Sequence, residues 1–193
     1  MATDAEETRF ELQKGRMLKA AAQCFNQKGY SGTSLRDVAD VLGLTDAALY
    51  YYVRNKEELV YLCYIRAAKL GREALDKAQS EGDNGMDVVL SYIRYHVEMV
   101  VGDQGPIAIM SEIPSLQPKH RDEVLELSRQ HSASFEAILE AGIADGSIAP
   151  CNVRLMGNAI IGSLNWIPKW FHGDAKLAKS LIDEFPNILA RGL

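Results

Sequence analysis

The chain is short of the residues from which secreted scaffolds and metal enzymes are built. It has three cysteines in 193 residues, and Cys24, Cys63 and Cys151 lie far apart, with neither a CxxC nor a metal-ligand spacing. That excludes a disulfide framework and predicts buried free thiols in a reducing compartment. The four histidines have no zinc spacing, and HExxH, P-loop, G-x-S-x-G and GxGxxG are all missing. No metal, no cofactor and no enzymatic activity is therefore expected. There is no run of 18 uncharged apolar residues, and the opening MATDAEETRF lacks an apolar signal core. The expectation is a cytoplasmic protein with no membrane partner. Strand alternation and repeat periods are lacking as well. Nor is there a general excess of positive charge: the net charge is −5.

What the chain does have is helical periodicity from end to end. The predicted fold is all-α with about nine helices, in two units at 1–55 and 56–193. Thr8 with Glu11 reads as a capping box opening the first helix, with residues 1–7 frayed ahead of it. Long helices are expected at 56–79, 86–101, 121–144 and 152–171, with another ending near Leu189. A short one is expected at 107–112 inside a segment rich in glycine and proline.

The stretch from Phe25 to Leu59 organises the rest. Gly29 closes a first helix; Thr33 or Ser34 caps a second, with Leu35, Val38, Ala39 and Leu42 on one face. Gly43 ends that helix, and Thr45 caps a third through Ala47, Ala48, Leu49 and Tyr50. Two short helices around a glycine turn make a helix-turn-helix, whose second member enters the DNA major groove. Charge agrees: from Lys14 to Lys56 seven basic residues stand against three acidic, whereas from Tyr61 onward 13 basic face 17 acidic. The positive field sits where phosphates would be met. Leu35, Val38, Leu49 and Val53 are core, but Thr33, Ser34, Arg36, Thr45, Asp46, Ala47, Tyr50, Tyr51 and Lys56 are candidate DNA contacts. Asp46 is repelled by phosphate, so it either accepts from a cytosine amino group or stabilises the helix N-terminus.

The run G-Y-x-x-T-S-L-x-x-V-A-x-x-L-G-L-T-x-x-A-L-Y-Y-Y-V-x-N-K-E-x-L within that stretch resembles the DNA-binding signature of tetracycline-repressor (TetR) family regulators. The resemblance implies a helix-turn-helix DNA-binding domain at 1–55 and a ligand-binding and dimerisation domain at 56–193, in a homodimer on double-stranded DNA with a palindromic operator, its last two long helices pairing with those of a second subunit. Carried onto this chain, the interface would hold Leu155, Ala159, Gly162, Ser163 and Ile167, with Leu181, Phe185 and Ile188 from the final helix. A second, shorter likeness is N-W-I-P-K-W-F-H-G, Asn165 to Gly173, similar to the ending of a TetR subgroup that senses acyl-CoA thioesters. Pro168 departs from that pattern and kinks the helix.

A hydrophobic or acyl-CoA effector would then lie between the helices at 56–79, 86–101, 121–144 and 152–171. Its expected walls are Tyr61, Tyr64, Tyr92, His96, Met99, Met110, His131 and Phe135, with Trp166 or Trp170 stacking and Lys169 or Arg129 meeting phosphate. For the histidines, satisfied core packing is the plainer alternative, and for the tryptophans a dimer interface is. The expected function is a repressor released when ligand tilts the long fourth helix. The competing reading is a constitutive DNA-binding regulator or scaffold without a ligand.

Overall fold

The structure, a computed structural model, describes residues 4–102 and 110–191. Among these, the chain forms eight α-helices and one 3-10 helix: α1 Asp4–Lys28, α2 Leu35–Leu42, α3 Asp46–Tyr50, α4 Lys56–Glu81, α5 Gly85–Val101, the 3-10 helix Met110–Ser115, α6 Pro118–Asp145, α7 Val153–Trp170 and α8 Ala175–Ala190. The all-α expectation holds. So do the caps expected at Ser34 and Thr45; Asn55 and Asn152 act likewise, each of the four accepting a backbone N–H in the first turn it opens.

Three boundaries differ. Helix α1 already runs from Asp4, so Thr8 lies inside it and not at its start; continuation of the helix outweighs the local capping signal. The expected helix at 107–112 is a 3-10 turn at 110–115, residues 107–109 lying outside the described residues. Helix α6 starts three residues early, because Pro118 occupies the first helical turn, where its missing N–H costs nothing.

Two apolar cores result. The first joins α1, α2 and α3 through Phe25, Val38 and Leu49, and continues past residue 55 into Leu59, Val60 and Cys63 of α4 and on to Val124 of α6. The second joins α5 to α8 with the later half of α4 around Leu75, Tyr92, Phe135 and Leu164. Helix α4, 26 residues or about 39 Å long, belongs to both. Cys24 and Cys63 are buried and Cys151 is half-buried, all as free thiols. Helices α5 and α6 meet at Gly85 and Gly142 so closely that a Cβ on Gly85 would stand 2.2 Å from the Gly142 Cα.

A polar clasp ties the start of α4 to α6. Glu57 accepts from the Gln117 backbone N–H and meets His120 Nδ1, both at 2.9 Å. The Tyr61 ring lies flat on that imidazole at 3.8 Å, and its hydroxyl donates to Glu123 at 2.8 Å. These contacts tie the first turns of α4 to the start of α6.

Candidate nucleic-acid interface and effector region

The reader is held rigid by local hydrogen bonds. Ser34 Oγ accepts from the Asp37 N–H at 3.1 Å while Asp37 accepts from the Ser34 N–H at 2.7 Å, a complete capping box. Lys28 pairs with Asp37 and, with Ser34, holds that carboxyl well below the usual carboxylate range. Gly43 turns the chain at φ 65°, a left-handed conformation that glycine adopts without a Cβ penalty. Thr45 then caps α3, accepting from the Ala48 N–H at 3.3 Å. Asn55 caps α4, but Glu58 reaches past it to the Arg54 N–H at 2.7 Å.

Leu49 anchors α3 in the core, so its neighbours face outward. Tyr50 is 58% exposed and Tyr51 74%. Thr45, Asp46, Ala47, Ser34 and Arg36 are also exposed. Ser34, Arg36, Asp46, Tyr50 and Lys56 converge on one concavity of about 550 Å³. Arg54, which the sequence reading counted toward local charge without placing it in the site, lines the same concavity. Tyr51 turns to the other side, edge-on to Phe10 and Tyr52.

Two of the expected contacts have other work. Thr33 is only 2% exposed, and its hydroxyl lies 2.7 Å from the Gly29 carbonyl and 3.1 Å from that of Cys24. It fastens the turn after α1 and is withdrawn from the DNA-contact set. Lys56 donates to the Tyr30 carbonyl at 2.8 Å and covers that ring at 4.3 Å. It is half-buried and still lines the concavity.

In the C-terminal half, Tyr92, His96, His131 and Phe135 do come together. Tyr92 Oη lies 2.7 Å from His131 Nε2 and 3.4 Å from His96 Nδ1, with the Phe135 ring 5.0 Å from that of Tyr92. The single phenolic proton goes to one imidazole, and the hydroxyl oxygen accepts from the other. In either arrangement the buried His96 Nε2 has no hydrogen-bond partner among the described residues. Burial, then repulsion from His131, pushes His96 down to about 4, and burial also lowers His131. Both imidazoles are neutral at pH 7.

Other expected walls lie elsewhere. Tyr64 belongs to the first core and Tyr61 to the clasp. Arg129 is exposed and paired with Glu126 at 2.8 Å. Met99 packs half-buried against the second core, and the Met110 side chain lies outside the described residues. Trp166 and Trp170 stand on the surface of α7, away from the histidines.

Comparison with known proteins decides the family. Residues 17–61 match the family model described as bacterial regulatory proteins, tetR family, and 83–193 that described as tetracyclin repressor-like, C-terminal domain. The chain belongs to the TetR family. It is 32% identical to the TetR-family regulator PfmR from Thermus thermophilus, covering 92% of this chain and 98% of that one with a TM-score of 0.77. It is 24% identical to the fatty acid metabolism regulator protein of Bacillus subtilis over 83% of this chain and 84% of that one. A crystal structure of AibR in complex with isovaleryl coenzyme A and operator DNA shares the fold at a TM-score of 0.75 and 23% identity, covering 92% and 98% of the two chains.

TetR regulators bind operator DNA as homodimers, and this one carries an apolar surface suited to a second copy. Leu155 is 68% exposed, Trp166 62% and Ile188 50%. Ala159 and Gly162 are exposed beside them, with Ser163 and Phe185 half-buried. Ile167 and Leu181 are buried in the chain's own second core and leave the expected interface set. No described helix is long and apolar enough to cross a membrane.

Proposed function

We propose that this TetR regulator is a repressor released by an uncharged acyl group presented as a coenzyme A thioester, taken into the interior between α4, α5 and α6. The observation that carries the reading is His96 Nε2, buried beside Tyr92 with no hydrogen-bond partner among the described residues. A buried nitrogen left without a partner costs about 1–3 kcal/mol, an expense removed by a ligand that brings one polar group inside an otherwise apolar body, as a thioester carbonyl does when Nε2 carries the proton. The relatives support the class: one is named for fatty acid metabolism, and another is seen with an acyl-coenzyme A and DNA together. We assign DNA contact to Ser34, Arg36, Thr45, Asp46, Ala47, Tyr50, Tyr51, Arg54 and Lys56, and dimer contact to Leu155, Ala159, Gly162, Ser163, Trp166, Phe185 and Ile188.

The mechanism follows from the clasp. Ligand between α5 and α6 displaces α6, which pulls the Glu57–His120–Tyr61 contact and so the first turns of α4. Two recognition helices in a dimer must match half-sites about one helical turn apart. Moving occupancy from 99:1 to 1:99 requires ligand to favour the released form by about 5.5 kcal/mol.

The test is fluorescence anisotropy on a duplex selected from random sequence by the protein. Isovaleryl-CoA or a longer acyl-CoA should release the duplex at concentrations where free coenzyme A does not. Retention of DNA with every acyl chain length would favour the constitutive regulator instead.

A further inference from the structure

Leu49 turns one face of α3 into the core, which leaves the other sides of the helix outside. The concavity with Ser34, Arg36 and Lys56 lies on one of them. A second cleft, of about 430 Å³, shares no residue with it and opens between the end of α3 and the N-terminal half of α1. Arg9, Phe10, Gln13, Tyr51 and Tyr52 line it, with no carboxylate among the described residues. Phe10 lies stacked on Tyr52 at 5.1 Å, and Tyr51 stands edge-on to both rings, 5.8 and 5.2 Å away. Packing of α1 against the reader accounts for Phe10 and Tyr52, which are half-buried. It does not account for Tyr51, which is exposed and whose hydroxyl makes no hydrogen bond among the described residues. Nor does it account for Arg9 and Gln13, one helical turn apart on the face of α1 that borders the cleft.

We propose that this cleft is a second backbone site of the reader, gripping a phosphate of the DNA strand across the groove from the concavity. It rests on the DNA contacts proposed above for α3 and its neighbours. A helix lying in a major groove about 12 Å wide has a sugar-phosphate backbone on either side of it. Arg36, Arg54 and Lys56 serve one backbone, and the other falls to the side of α3 that borders α1. There the Arg9 guanidinium pairs with a phosphate oxygen, and Gln13 and the Tyr51 hydroxyl donate to the same group. Gln13 Oε1 accepts from Arg16 at 3.3 Å, so the part it offers a phosphate is its NH2 group. Phe10 and Tyr52 are positioning residues: they hold the Tyr51 ring, so its hydroxyl meets the backbone already ordered. Lys14, its ammonium 6.0 Å from the centre of the Phe10 ring, adds positive charge one turn behind the cleft. Backbone contacts carry no base sequence, but they fix register and orientation on the duplex. A pair of them on opposite strands sets how α3 is rolled in the groove, and so which of its side chains reach base edges.

The test is anisotropy over a salt series with the full-length protein and the duplex it selects from random sequence. Wild type is compared with Arg9→Gln, Tyr51→Phe, Arg36→Ala and Arg54→Ala, with thermal melts beside. Arg9→Gln should weaken the selected and an unrelated duplex by the same factor, roughly threefold to tenfold, and lower the salt slope by about one. Tyr51→Phe keeps the ring contacts and removes only the hydroxyl. It should cost about threefold in affinity with slope and melting temperature unchanged, whereas a purely packing role would leave affinity at the wild-type value. Methylphosphonate substitution, which removes one backbone charge at a time, then locates the contacts. The position to which wild type is sensitive and Arg9→Gln is not should lie on the strand opposite the one found with the concavity variants. Full affinity and slope in Arg9→Gln, or a position on the same strand, overturns the second site. If no concavity variant alters binding, the DNA contacts proposed for the reader fall and this site with them. If the concavity variants behave as expected while Arg9→Gln matches wild type, those contacts stand and the cleft alone falls.

Discussion

Substituting Thr33 by valine separates a structural role from a DNA-contacting one. Valine keeps the branched shape and removes only the hydroxyl that donates to Gly29 or Cys24 at 2.7 and 3.1 Å. The carbonyls at the end of α1 then lose that donor at a site only 2% exposed. A buried hydrogen bond left half-made costs about 1–2 kcal/mol. In a protein of this length each kcal/mol moves the melting temperature by about 2–4 °C. Thr33→Val should therefore melt roughly 2–8 °C lower by circular dichroism. Operator affinity measured at 20 °C, where the protein remains folded, should stay within about twofold. An unchanged melting temperature with a tenfold loss of affinity would refute the assignment and put the hydroxyl on a phosphate.

Three further outcomes are expected. If Arg54, which lines the concavity with Tyr50, meets phosphate as proposed, Arg54→Ala should weaken all duplexes alike and reduce the slope of log K against log salt by about one; an unchanged slope removes it from the interface. Trp166→Glu should convert the dimer to monomer in light scattering at micromolar concentration, since it sets a charge in the centre of the exposed α7 surface; a persistent dimer moves the interface elsewhere. His96, near 6.5 when unfolded and about 4 when folded, should contribute stability that is intact above pH 6.5 and falls away as the pH drops toward 4. The loss by then is about 3 kcal/mol. Urea unfolding of His96→Gln should show a flatter pH dependence than wild type, and parallel curves would contradict the burial argument.

Features set by neighbouring residues were legible from the chain alone. The caps at Ser34 and Thr45 depend on an oxygen two or three residues from a free N–H, and the sequence displays that spacing directly. Tyr50 and Tyr51 were placed outward because Leu49 had to face in. Features set by tertiary packing were not legible. Thr33 and Ser34 are adjacent hydroxyls, and only the turn from Gly29 folding back on α1 decides which one is buried. Helix α7 is apolar on most of its surface, so periodicity could not tell Ile167, which its own chain covers, from Leu155, which it does not. Tyr64 and Tyr92 share a residue type yet fall into different cores, because the first half of α4 packs into the first core and α5 into the second.

The central claim is that α3 offers Tyr50 to DNA from a dimer. The most direct measurement is anisotropy of a selected palindromic duplex against wild type and Tyr50→Ala, with dimer content and melting temperature followed in parallel. The account predicts at least a tenfold loss of affinity with dimer and melting temperature unchanged. Full affinity in the variant would contradict it.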